Sequence, residues 1–89
     1  MINIEKVIEN DVLTLASKDD YEFDEYKKHI VNKHGEIQID REIHILEREG
    51  FVFFYKNKMT LTKLGEGRLS HLQILLNRWH VAHSDDTVQ

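Results

Sequence analysis

The chain has 89 residues, 40% of them hydrophobic and 31% charged, with four Gly, no Pro and no Cys. That length supports one small domain with a single core, and the missing cysteines exclude disulfides, thiolate catalysis and Cys-ligated zinc. The longest apolar run, Phe51 to Tyr55, is far shorter than the roughly 20 residues of a membrane-spanning helix. Met1 to Val12 mixes charged with apolar residues and has no signal-peptide block, so the expected location is the cytoplasm. The net charge of −4 conceals an asymmetry: −6 over residues 1–26, 0 over 27–50, +4 over 51–80 and −2 over 81–89. A surface for a polyanion is a local feature, and positive charge concentrates in the C-terminal half.

Taken in chain order, Ile4, Val7, Ile8, Val12 and Leu15 recur at helical spacing and predict an amphipathic helix from Asn3 to about Ser17 with an acidic exposed face. Ser17 to Asp20 ends it, and Tyr21 to Phe23 read as a short extended link. Asp24 is then a candidate cap for a second helix that turns Phe23, Tyr26 and Ile30 inward and exits through Gly35. A third helix, over about 38–49, has Ile39, Ile43 and Leu46 on one face and closes at Gly50. The period then changes. Phe51 to Tyr55, a polar turn at Lys56-Asn57-Lys58, and Met59 to Leu61 predict a β-hairpin. Thr62 is placed to cap a fourth helix over about 62–80, and residues 84–89 lack periodicity and read as a flexible tail. The expected class is α+β, mostly α, with residues 1–83 as one domain.

This order, together with Ile43-His44-Ile45-Leu46-Glu47-Arg48-Glu49-Gly50-Phe51-Val52 and Leu61-Thr62-Lys63-Leu64-Gly65, resembles the winged helix-turn-helix superfamily. The first stretch is similar to the end of that fold's third helix entering the wing, the second to the start of the helix after it. The resemblance covers residues 4 to 80. It implies a small DNA-binding regulator of the prokaryotic or viral type, with the third helix in the major groove and the hairpin tip on the backbone or minor groove.

The residue types agree with that role. At about 100° per residue, Arg41, His44 and Arg48 fall opposite Ile39, Ile43 and Leu46. Arginine reads guanine edges in bidentate fashion or clamps phosphate. The expected duplex-contacting set is therefore Gln38, Arg41, His44 and Arg48 on the third helix with Lys56, Asn57, Lys58 and Lys63 around the wing. Asp40, Glu42, Glu47 and Glu49 flank the stripe, and pairing with the arginines would leave only a solvated helix. The alternative function is a winged-helix protein-interaction module that uses its acidic N-terminal face and binds no DNA.

On the fourth helix, Leu64, Leu69, Leu72, Leu75, Leu76 and Trp79 fill a wide apolar arc. Leu69, Leu72, Leu76 and Trp79 have the spacing of a helix-pair seam, and with Leu75 they are the expected interface of a homodimer. The rival reading folds the whole stripe back on the monomer core. Six His invite a metal or a pH sensor, and protonating all six would turn −4 into +2. His80 and His83, with Asp85 and Asp86 downstream, could ligate zinc or nickel, but their spacing makes no closed site, so no metal or cofactor is expected. His29 and His34 share no helix face, and His71 reads as a surface residue. With no Gly-rich phosphate loop, no nucleophile elbow and no carboxylate isolated in an apolar run, the chain is not expected to be an enzyme.

Overall fold

A computed structural model describes the backbone of residues 3–88 and the side chains of residues 3–79. Four helices and one antiparallel hairpin follow in the order α1 (Ile4–Ala16), α2 (Asp20–His34), α3 (Glu36–Arg48), β1 (Val52–Tyr55), β2 (Lys58–Leu61) and α4 (Lys63–Val88). The fold is α+β and mostly α. Among the described residues no helix is long and apolar enough to cross a membrane.

Helix α1 is the hub, touching each of the other helices and β2. Asn3 caps it, accepting the Glu5 N–H through its side-chain oxygen at 2.8 Å. Its buried side chains Ile8, Val12, Leu13, Leu15 and Ala16 meet Ile30 of α2, Ile39 and Leu46 of α3, Val52 and Met59 of the hairpin, and Leu69 and Leu72 of α4 in one core. Ile4, counted on the inward face by spacing alone, is exposed.

Helix α2 begins four residues before the expected Asp24 cap. Asp19 is the actual cap: its Oδ1 accepts the Glu22 N–H at 3.0 Å, so Tyr21 to Phe23 are helical rather than extended. Phe23, Tyr26 and Ile30 still face inward. Gly35, at φ 92°, separates α2 from α3 by a single residue, a conformation that a side chain would strain.

Helix α3 stops in a Schellman arrangement. Gly50 sits at φ 84°, its N–H donating to the Glu47 carbonyl and the Phe51 N–H to the Leu46 carbonyl. Strands β1 and β2 pair Val52 with Leu61, Phe53 with Thr60, Phe54 with Met59 and Tyr55 with Lys58. The turn is thus two residues, Lys56 and Asn57, both at positive φ as a type I′ turn requires. Lys58, expected in that turn, belongs to β2.

Thr62 joins the hairpin to α4. Its Oγ1 accepts the Gly65 N–H at 3.0 Å and donates to the Gly50 carbonyl at 2.6 Å, while its N–H donates to the Phe51 carbonyl. Gly65 is required by the same crossing, since a Cβ there would lie 1.9 Å from the Phe51 carbonyl oxygen. Helix α4 continues to Val88, past the end expected near His80, so its helical backbone takes in most of residues 84–89. At 26 residues it is about 39 Å long, longer than either short dimension of the 49 × 26 × 23 Å molecule. Leu69 and Leu72, expected at a dimer seam, are instead buried in the monomer core against α1. Leu64, expected on the same apolar arc, is 61% exposed.

Candidate nucleic-acid interface

On α3 the buried Ile39 and Leu46 fix the rotation of the helix, and with them Arg41, His44 and Arg48 are all exposed. Ile37, also exposed, falls in the same outward arc of roughly 60°. Ile37 lies outside the helix that the spacing predicts from about residue 38, because α3 begins two residues earlier, at Glu36. Its signal was the wheel position it shares with Arg48. Gln38 sits on one flank and faces the groove between α3 and α1 rather than the outward arc.

Ionic pairing separates the basic residues into two classes. Lys58 Nζ lies 3.0 Å from Asp20 Oδ1 at the start of α2. Arg68 clamps Glu9 of α1 in bidentate fashion, its Nε and Nη2 at 2.6 and 2.9 Å from the two carboxylate oxygens. Arg41, Arg48, Lys56 and Lys63 form no ion pair among the described residues, although Asp40, Glu47 and Glu49 are exposed nearby. The arginines of the α3 stripe are therefore available to an external anion. Lys56 extends its ammonium over the Tyr55 ring, 5.5 Å from the centroid, and Asn57 is exposed beside it.

Two of the acids of α1 are spent within the fold, Glu9 on Arg68 and Asp11 on α2, while Glu5 is exposed. Asp11, buried on α1, has its Oδ2 2.6 Å from His34 Nε2 and 3.3 Å from Lys33 Nζ, both from the last turn of α2. His34 is only 4% exposed at its side chain. The Lys33 ion pair and the His34 contact hold this carboxylate inward in a helix that the sequence reads as acidic outward. Nearby, burial and the Asp11 charge raise the Tyr26 pKa above its ordinary value.

A groove of about 480 Å³ between α1 and α3 gathers Glu5, Glu9, Glu42 and Glu49 with Arg41 and Arg68 at its margins. Burial first, and then the charges of Glu9 and Glu5, push the Glu42 carboxyl up to about 7. The Glu9 hydrogen bond raises the pKa of Arg68 further above its ordinary value. The sequence carries no sign of this perturbed carboxyl, since Glu42 meets Glu5 and Glu9 only across two helices.

No group of three or more His, Asp or Glu side chains among the described residues is arranged to hold a metal ion. The pair His80 and His83 lies outside the side chains described. No family model, curated protein or solved structure matches the chain.

Proposed function

We propose that the chain is a winged-helix regulator that binds duplex DNA in a sequence-specific manner as a homodimer, with α3 in the major groove and the hairpin on the backbone. The observation that carries this reading is the unpaired, exposed row Arg41, His44 and Arg48, set opposite the buried Ile39 and Leu46. The element order and the short I′ hairpin support it as well. In this arrangement the arginines present bidentate donors to guanine edges, and Ile37 offers an apolar contact to a thymine methyl. Lys56 and Lys63 hold phosphates as point charges and set the register without reading bases. Lys58 has a weaker role than its neighbours, because Asp20 already neutralises it.

Leu75, Leu76 and Trp79 support the dimer. They continue the face of α4 that buries Leu69 and Leu72, but past Leu72 the domain covers it only in part. A second copy of α4 on this half-buried stretch would complete its burial.

Titration on mixed-sequence duplex at two salt concentrations tests the reading. Lys56 and Lys63 from two copies give four phosphate contacts, so affinity should fall about a hundredfold between roughly 50 and 200 mM salt. Undetectable binding at the lower salt favours the second reading, a protein-interaction module. The carboxylate groove between α1 and α3 supports that second reading, because it suits a basic segment of a protein partner.

A further inference from the structure

The hairpin displays more aromatic surface than a phosphate-positioning element needs. Phe53 is 44% and Tyr55 64% exposed, and the cross-strand pairing sets them on the same face of β1, opposite Thr60 and Lys58. That is the opposite face from Val52 and Met59, which are buried in the core. Two strand residues apart, their backbone positions are about 6.8 Å apart along β1, a spacing that accommodates two successive bases. The I′ turn holds the tip in one short geometry, and the Lys56 ammonium sits over one side of the Tyr55 ring.

We propose that this outer face of the hairpin is a stacking platform for unpaired bases, so that the chain binds single-stranded nucleic acid at Phe53 and Tyr55 with Lys56 on the adjoining phosphate. Charge selects this occupant over an apolar peptide or a second hairpin. From Phe51 to Gly65 the sequence has three lysines and no Asp or Glu, and only Lys58 is neutralised, by Asp20. A polyanion gains from Lys56 at the tip and from the exposed Lys63 that follows β2, whereas a second copy of the hairpin would bring like charges together. Aromatic faces accept any base, so the platform recognises strandedness rather than sequence. The site is separate from the outward face of α3. It stands whether or not α3 reads duplex.

The test compares a fluorescein-labelled thymidine strand of about 12 nucleotides, within the range that such platforms occupy, with an abasic strand of equal length and charge. The wild-type protein should bind the thymidine strand at least about tenfold more tightly than the abasic one. Tyr55→Ala and Phe53→Ala should each remove most of that preference, and Tyr55→Phe should keep it. Arg41→Ala with Arg48→Ala should leave strand binding unchanged while weakening duplex binding, which separates this site from the α3 reading. Equal affinity for the two strands overturns the proposal, and that comparison needs no variant. Loss of self-association in Tyr55→Ala, read by sedimentation, also overturns it, because the face would then be covered by a second copy.

Discussion

Glu42 shows how a single side chain acquires chemistry that its sequence neighbours do not reveal. Between Asp40 and Glu47 it looks like one more solvated acid, yet α3 packs it against Glu5 and Glu9 of α1 in a half-buried groove, and its carboxyl titrates near 7. The folded chain therefore holds a proton there that the unfolded chain has lost, between about pH 4.5 and pH 7. Stability must fall as pH rises through that window, and above it the cost of burying the charge, increased by Glu9 and Glu5, is fully present. The groove is open and water reduces both effects, so Glu42→Gln should gain about 1 kcal/mol over wild type at pH 8 and nothing at pH 4. Urea denaturation of both proteins at the two pH values measures the difference. Asp11 is the counterexample at the same scale: equally hidden among acids in the sequence, it is matched by His34 and Lys33 rather than by other carboxylates.

At the scale of elements, the parts legible in the sequence are those that periodicity or a special backbone conformation dictates. The inward stripes of α1 and α3, the Gly35 and Gly50 exits and the hairpin all follow from such signals. The start of α2 was also encoded, in the Asp19-x-x-Glu22 spacing of a capping box, but Asp24 offered a competing cap and the earlier one prevailed. What the sequence could not separate was coverage. Leu69, Leu72, Leu75 and Leu76 look alike on a wheel, and only the position of α1 determines that the first two are core. Ion pairing was equally invisible, since Lys58 and Arg68 find their acids on α2 and α1. The crossing of α4 over Phe51 gives an element-scale prediction. Gly65→Ala should destabilise by about 2–3 kcal/mol, because the added methyl meets backbone that cannot rotate away. Gly67→Ala, with nothing near its Cβ position, should stabilise α4 by about 0.5–1 kcal/mol. Thermal melts of the two variants should shift in opposite directions.

For the whole molecule, the long α4 divides into a part that completes the monomer core and a part that the domain covers only partly. The buried Leu72 belongs to the first, so Leu72→Asp should unfold the chain rather than dissociate a dimer. Leu75→Asp with Leu76→Asp should instead leave a folded monomer, as sedimentation at about 50 μM would show against a dimeric wild type. A wild type that sediments as a monomer there contradicts the dimer. Two copies joined in this way would carry two α3 stripes, and the duplex-reading account depends on those stripes. Its most direct measurement is binding to a site that the wild-type protein selects from random duplex, compared with a scrambled site. Arg48→Ala should cost about 1–3 kcal/mol on the selected site and leave the scrambled one unchanged, whereas Lys56→Ala should weaken both alike. Selection of no site by the wild type, or an Arg48→Ala protein that binds the selected site as tightly as wild type, would contradict the account.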